Sequence, residues 1–390
     1  MGIYLPKQPL YNDTSLTYSV FNSLLSYKFR EFRIVYPLRE DEMPTELQQH
    51  PPSNSLPEYP VTLLDFQRMF PDEAACLRYL ERIRWPNGFC CEKCASVDEP
   101  FRLSTHARKL KCRLCHHVES VTGDTVMHRS KTSVHVWFWA AYLVATQTPG
   151  ISALELQKKL GIKRYETAFQ LLHKLRDTMV RPGRDKIGSA WPIELDVVFV
   201  GGKTKNGVQG KTDQVPVIIA VEIRRREIRD HTANKVITRA LAGRIRLQKI
   251  PNKTAIAINN FARDCIAPGA IITSDDGKEF TNLLELGYDH RPVPMRGDRI
   301  KMDSYLPMIS RVTANLKTWI DGTFHGVGKQ HLQTYLHEYM YRFNRRFIRA
   351  ESFQSLLGLG TLRAGLTYRD VYDASRRENS TKIKRCTATG

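Results

Sequence analysis

Four of the eight cysteines in this 390-residue chain form two C-x2-C pairs, and their spacing restricts how the surrounding residues can fold. The pairs are Cys91/Cys94 and Cys112/Cys115, with seventeen residues between them. Each pair can place two thiolates on one side of a tetrahedral Zn²⁺, and the intervening segment is long enough for a small hairpin. The sequence therefore predicts a zinc ribbon with a structural zinc ion. Cys90 adjoins the first pair and is an alternative ligand, although the C-x2-C geometry favours Cys91.

The charge of the chain is unevenly distributed. The sequence has 59 basic and 40 acidic residues, a net charge of +19. Residues 1–60 carry five basic and seven acidic residues, so the whole positive surplus lies in the other 330 residues. A surplus of this size attracts polyanions, and nucleic acid is the leading candidate. The alternative is a basic protein whose charges are simply solvated.

Composition and hydropathy exclude several classes of protein. Apolar residues make up 42% of the chain, which argues against a mostly disordered protein. The longest apolar run, residues 136–145, is about half of the ~20 residues that a membrane-spanning helix needs. The N-terminus lacks the basic start and apolar core of a secretory signal. We therefore expect a cytoplasmic protein without a membrane partner, whose cysteines are thiols or metal ligands.

Shifts in composition divide the sequence into five parts. A proline-rich stretch before residue 61 is typical of a linker, and the periodicity changes from helical to β-branched near residue 190. The predicted parts are an N-terminal extension and linker (1–60), a helix with the zinc ribbon (61–130), a small helical domain (131–185), a mixed α/β domain (186–350) and a C-terminal tail (351–390).

Helical periodicity dominates the sequence on both sides of the predicted ribbon. Residues 65–84 predict one helix, and residues 134–146 predict another. A short helix that begins after Ser152 and a longer amphipathic helix from Tyr165 flank a glycine turn, which predicts a helix-turn-helix-like unit. Lys163, Arg164 and Lys174 are expected to contact DNA, and His173 and Arg176 lie near them in the sequence. A helical hairpin without DNA contact is the alternative.

Two aspartates occupy equivalent places on separate predicted strands. Asp196 lies within an apolar, β-branched strand, and Asp275 ends a later, short strand. Neighbouring strands can bring such carboxylates together, and paired carboxylates can bridge two Mg²⁺ ions that promote phosphoryl transfer. The alternative is that Asp196 pairs with a nearby lysine and that Asp275 makes a turn. An unpaired carboxylate in a buried strand is costly, which favours the metal site for Asp196.

Several further motifs occur in a fixed order over about residues 61–360. They are Trp85-Pro-x-Gly-Phe, the four cysteines, Thr122-Gly-Asp-Thr, Ile193-Glu-Leu-Asp-x-x-Phe-Val-Gly-Gly-Lys, Asn315-Leu-Lys-Thr-Trp, Gly322-Thr-Phe-His-Gly-Val, His331-Leu-Gln-x-Tyr-Leu-x-Glu338 and Arg342-Phe-Asn-Arg-Arg346. No single motif is decisive, but the order and spacing together are specific. The chain resembles bacterial zinc-ribbon insertion-sequence transposases of the ISXO type.

This resemblance implies an RNase H-like catalytic domain that performs Mg²⁺-dependent DNA strand cleavage and transfer. Members of the family often replace the third acid by Asn and have a Lys two residues later. The resemblance thus implies Asp196 and Asp275 as metal ligands, Asn315 as the third catalytic position, and Lys317 as a catalytic residue that contacts DNA phosphate. Glu338 is the reserve third carboxylate.

The expected function is that of a DNA transposase. Its partners would be double-stranded DNA, both terminal inverted repeats and target DNA, and a second copy of the chain, because two element ends must be joined. Lys203 is expected to contact DNA, and His290 matches a family histidine that would touch the scissile phosphate. The alternative is a non-catalytic DNA-binding regulator or a domesticated transposase with a degenerate site. This alternative rests on Val197 and Ser310, where the chain departs from the family pattern.

Overall fold

The structure is a computed structural model that describes residues 58–181, 183–201, 214–230, 235–294 and 303–361.

Two helices, and not one, precede the zinc ribbon. They are α1 (Leu63–Met69) and α2 (Glu73–Arg84). The expectation of a single helix over residues 65–84 was wrong because Pro71 cannot donate the next helical hydrogen bond. Asp72 then begins a new helix, since its carboxylate accepts from the backbone N–H of Ala75 at 2.7 Å.

The ribbon is a three-stranded antiparallel sheet. Its strands are β1 (Phe101–Arg102), β2 (Lys109–Lys111) and β3 (Val118–Ser120), in the order β1-β2-β3. The turn between β2 and β3 contains the second cysteine pair, and the first pair precedes β1. The hairpin predicted from the cysteine spacing is therefore present.

Three helices follow the ribbon, as the sequence predicted. They are α3 (Val134–Thr146), α4 (Ala153–Lys159) and α5 (Tyr165–Thr178). Ser152 begins α4 by accepting a hydrogen bond from the N–H of Glu155 at 3.2 Å. Gly161, at φ +60°, makes the turn between α4 and α5, because an L side chain is disfavoured in that conformation.

A five-stranded mixed sheet forms the centre of the remaining fold. Its strands are β4 (Ile193–Val200), β5 (Val215–Asp230), β6 (Lys235–Lys249), β7 (Ile271–Asp275) and β8 (Asp289–Val293). The order is β6-β5-β4-β7-β8. β4, β5 and β6 are antiparallel neighbours, whereas β7 and β8 run parallel to β4.

Helices cover both faces of this sheet. α6 (Ala255–Cys265) packs on the face that presents Leu195 and Val197, whereas α7 (Pro307–Phe324) and α8 (Leu332–Asn344) pack on the face that presents Val198. Each face has its own apolar cluster, because successive residues of a strand point to opposite sides. The predicted mixed α/β class with an N-terminal zinc ribbon is confirmed, and it is consistent with an RNase H-like fold. No helix in the described ranges is long and apolar enough to span a membrane.

The last described helix, α9 (Arg349–Thr361), joins the N-terminal helices and not the central sheet. The Phe353 ring contacts four aromatic rings of α1 and α3: Phe66, Phe70, Phe138 and Tyr142. The boundary predicted before residue 351 thus falls inside a helix, and residues 351–361 complete the core of the N-terminal helices.

Candidate functional site

The two C-x2-C pairs fold into matching turns. The backbone N–H of Ala95 donates to the carbonyl oxygen of Cys91, and that of His116 donates to Cys112 in the same way, at 2.9 and 3.2 Å. Both Ala95 and His116 adopt left-handed conformations, with φ of 56° and 59°. Repetition of this uncommon geometry after each pair is what a two-knuckle metal site requires.

The four sulfur atoms converge. All of them lie within 4.8 Å of one another, with 3.5 Å between Cys91 and Cys115 and 3.7 Å between Cys94 and Cys112. A tetrahedron with Zn–S bonds of about 2.3 Å has sulfur–sulfur edges of about 3.8 Å, so the donor set fits zinc. A backbone hydrogen bond from Cys115 contributes most to lowering the pKa of Cys112 to about 7, which favours the thiolate that binds metal. Cys90 lies outside this cluster.

The two predicted aspartates lie on adjacent parallel strands. Leu195 of β4 is in register with Ser274 of β7, so Asp196 and Asp275 follow as the next residues on the two strands. Asp196 shares a strand face with Val198, which packs against α7, and its residue is 8% exposed. The structure therefore brings the two carboxylates to the same face of the sheet, on the side of α7.

Burial and mutual repulsion make this pair electrostatically unfavourable without a cation. Burial is the main cause that raises the pKa of Asp196 to about 6, and the negative charges of Asp275 and Glu279 raise it further. Burial also raises the pKa of Asp275. Lys253 opposes these effects in part, although it is also ion-paired with Glu279. Two carboxylates whose negative charge is only partly balanced by Lys253 suit Mg²⁺, which prefers oxygen ligands.

One edge of α7 faces this pair. Trp319 packs against Tyr339 of α8, with ring centroids 5.5 Å apart, and α8 lies over β6. Because β6 and β7 are on opposite sides of β4, the Trp319 edge of α7 faces away from β7. At about 100° per residue, the opposite edge carries Ser310, Thr313 and Lys317.

This arrangement contradicts the predicted position of Asn315. Asn315 lies one turn before Trp319, so it belongs to the edge that faces away from β7, and its side chain is exposed. Lys317 is exposed on the edge that faces β7. The hydroxyl oxygens of Ser310 and Thr313 are buried and have no hydrogen-bond partner among the described residues. Polar groups with unused bonding capacity thus lie on the side of the aspartates.

Glu194 was not singled out in the sequence, yet it fixes the position of α7. Its carboxylate accepts from the backbone N–H groups of Met308 and Ile309, at 2.9 and 2.8 Å. Burial raises the pKa of Glu194 to about 7 despite these two bonds. The sequence contained one signal for this contact. Leu306 precedes Pro307, the first residue of α7, and has no side chain that can cap a helix, so the cap has to come from another element.

His290 lies on the other face of the sheet. It is in register with Ile272, which packs against α6, and its Nε2 lies 2.8 Å from the hydroxyl oxygen of Ser274. Burial lowers the pKa of His290. The expected contact of His290 with a scissile phosphate at the aspartates is therefore wrong.

Two protein-family models match this chain, one over the central sheet and its helices and one over the zinc ribbon. Residues 190–344 match the ISXO2-like transposase domain, and residues 71–118 match the transposase zinc-ribbon domain. The chain therefore contains one region similar to each of these two domains. Comparisons with curated proteins and with solved structures gave no match. The predicted resemblance is confirmed, and the matched ranges contain both aspartates and all four cysteines.

Only some of the basic residues that were predicted to contact DNA in the helical region (131–185) are exposed to solvent. Lys163 and Arg164 are exposed at the start of α5. Lys174 is half-buried, and burial lowers its pKa. The neighbouring His173 and Arg176 are buried and do not add to the accessible basic residues. Lys203 lies outside the described residues.

Arg176 pairs with Glu338 of the transposase domain. The distance between Arg176 Nε and Glu338 Oε2 is 2.6 Å, and the two side chains are 1% and 0% exposed. Burial disfavours the Arg176 charge, but the attraction of Glu338 keeps its pKa above the usual value. Glu338 therefore joins α8 to α5 and does not serve as the reserve third carboxylate of the metal site.

We expect Glu338→Gln to lower the free energy of unfolding by about 3–5 kcal/mol, because it leaves Arg176 buried without a counter-charge. Urea unfolding followed by fluorescence measures this change. Glu155→Gln is the matched control, since it removes an exposed ion pair with Lys159 that is worth at most about 1 kcal/mol. Equal effects of the two substitutions would show that the buried pair does not stabilise the fold.

Proposed function

We propose that the protein is a DNA transposase that binds the ends of an insertion sequence and catalyses Mg²⁺-dependent strand cleavage and strand transfer. The observation that carries this proposal is the placement of Asp196 and Asp275 on adjacent strands, on the face covered by α7. The family of the domain supports the same chemistry.

In this proposal the aspartates hold the metal and other residues hold the DNA. Bound Mg²⁺ would supply Lewis-acid stabilisation of the attacking and leaving oxygens of the phosphoryl group. Asp196 and Asp275 would position the ions from rigid strands, and Glu194 would keep α7 in register with them. Lys317, on the edge of α7 that faces β7, would bind a DNA phosphate next to the cleaved bond.

The N-terminal region would hold the terminal repeats. The zinc ribbon (61–130) and the helical region (131–185) precede the catalytic domain (186–350), and Lys163 and Arg164 are exposed at the start of α5. Their charges suit phosphate contacts, which position a protein on a duplex. Transfer of an element joins two ends to target DNA, so a dimer or larger assembly on DNA would be needed.

The test uses a labelled duplex that contains the DNA flanking the gene, with any inverted repeats found there. We expect wild-type protein to bind this duplex in buffer without Mg²⁺ and to nick one strand only after Mg²⁺ is added. Denaturing gel electrophoresis detects the nick, and a duplex of scrambled sequence is the control. No binding to either duplex would refute the proposal.

A second candidate function is a non-catalytic DNA-binding regulator. It is favoured by Ser310 and Thr313, because hydroxyl groups occupy the N-terminal half of the edge of α7 that faces the aspartates, and the carboxylate on that edge, Asp321, lies about two to three helical turns further along. Protein that binds the terminal duplex but never nicks it, in either Mg²⁺ or Mn²⁺, would establish this second function in place of the first.

A further inference from the structure

Strands β5 and β6 continue beyond the rest of the sheet. β4 pairs with β5 only as far as Glu222, whereas β5 and β6 stay paired to Asp230. The extension comprises residues 223–230 and 235–242, which we call the basic arm. Eight residues per strand at about 3.3 Å each give the arm a length of about 26 Å.

The base of the arm is fixed. The pairing register shifts between Val221 and Ile223, which is a β-bulge that bends the strand and increases its twist. Glu222 is fully buried there and accepts from the backbone N–H and the guanidinium of Arg244. A side chain at Gly243 would place its Cβ 2.9 Å from that of Glu222, so this close approach requires glycine. The arm therefore projects in a defined direction.

The arm is strongly basic. Its sixteen residues include six basic and two acidic side chains. Arg225, Lys235 and Arg239 are exposed, and none of the ion pairs within the described ranges involves them. Charged residues on an exposed ribbon can simply prevent strand addition, but that role does not require one sign of charge. The excess of one sign points to a polyanion.

The basic residues lie on both faces of the arm. Residues directly opposite each other in an antiparallel pair share a face, so Arg226 and Arg239 share one face, whereas Arg225 and Ala240 share the other. Like charges directly opposite each other are destabilising, which a bound anion would relieve. A flat acidic surface would neutralise one face only. A groove of duplex DNA has phosphates on both sides and would neutralise both.

We propose that the basic arm inserts into a groove of duplex DNA beside the cleavage site; this inference rests on the proposed transposase function. The major groove, about 12 Å wide, admits a two-stranded ribbon. Asp196 is paired with Ile219 of β5. Counted from Ile219, Arg225 lies six residues further along β5, and the end of the strand lies eleven residues further. These separations are about 20 and 36 Å, or roughly 6–11 base pairs of B-DNA from the aspartates.

The test is the salt dependence of binding to a fluorescein-labelled 40-base-pair duplex of mixed sequence. The arm variant combines Arg225→Gln, Lys235→Gln and Arg239→Gln. We expect it to bind more weakly than wild type and to make the slope of log K against log salt less steep by about 2–3, because each lost phosphate contact removes about 0.9. The control combines Arg263→Gln, Lys329→Gln and Arg349→Gln, exposed residues on α6, before α8 and on α9 with the same loss of charge. Its slope should stay close to that of wild type.

A second variant and a mass measurement keep the inference falsifiable. Replacing residues 225–240 by Asn-Gly shortens the arm to a tight hairpin, and it should reduce the slope at least as much. If wild type binds DNA and the arm variant matches the control, the arm inference is refuted and the transposase proposal stands. A change of oligomeric mass without a change of slope also refutes it, in favour of a subunit contact. Wild-type protein that binds no duplex refutes both proposals.

Discussion

Asp196→Asn and Asp275→Asn are each expected to slow Mg²⁺-dependent strand cleavage by roughly a thousandfold or more, with little loss of DNA binding. Each substitution removes a carboxylate ligand, and losing an ion would cost several kcal/mol of transition-state stabilisation. Binding should persist because phosphate contacts, which position the duplex, come from other residues. Nicking of the labelled terminal duplex and its retention on a native gel measure the two effects separately.

The same variants distinguish a metal ligand from a structural ion pair. In buffer without Mg²⁺, we expect Asp196→Asn to raise the thermal unfolding midpoint, because it removes a buried carboxylate that faces another carboxylate. If Asp196 mainly formed a stabilising pair with Lys253, the midpoint would fall instead. Asp264→Asn, on the exposed surface of α6, is the control for loss of an acidic group. If variants of Asp196 and of Asp275 nick at the wild-type rate, these residues are not part of the mechanism.

The elements that could be predicted from the sequence have strong local signals. β4 and α3 begin and end at the predicted residues, because one is a continuous β-branched run and the other is an apolar helix with Ser133 as its N-cap. The zinc cluster followed from ligand spacing alone. The pairing of Asp196 with Asp275 followed from equivalent positions on two strands. In each case, a few neighbouring residues were sufficient.

The features that could not be predicted depend on distant neighbours. Asn315 and Lys317 point about 200° apart on a helix, and only the contact of Trp319 with α8 decides which edge faces the aspartates. The arginine-rich half of β5 has no alternation of apolar and polar residues, since neither of its faces packs on a core. The apolar, β-branched segment of the strand ends at Ile223, and the strand continues for seven further residues to Asp230. α9 has a weak apolar pattern, and its helical packing partners α2, α3 and α5 lie more than 170 residues earlier.

Removal of zinc is expected to unfold the ribbon and to weaken binding to the terminal duplex. Structural zinc contributes about 10–16 kcal/mol to the folding of small zinc domains, far more than three short strands can supply. Cys91, Leu110 and Cys112 belong to the same buried cluster as the helices α1 to α5, so this region should also lose stability. The central sheet has separate apolar clusters and should resist longer.

Cys112→Ser tests this prediction. Cys90→Ser is the matched control, because Cys90 adjoins Cys91 in the sequence but lies outside the cluster of four sulfur atoms. We expect natively purified wild-type protein and Cys90→Ser to contain about one zinc ion per chain by elemental analysis, because four thiolates close one tetrahedral site. Cys112→Ser should lose the metal and expose residues 91–115 to proteolysis, because folding of the ribbon and metal binding are coupled. Wild-type protein without zinc, or equal metal loss in both variants, would refute the structural zinc site. Chelated protein that loses end binding but keeps a folded sheet would assign recognition of the ends to the N-terminal region, because the strand pairing that places Asp196 and Asp275 lies in the central sheet and not in the ribbon.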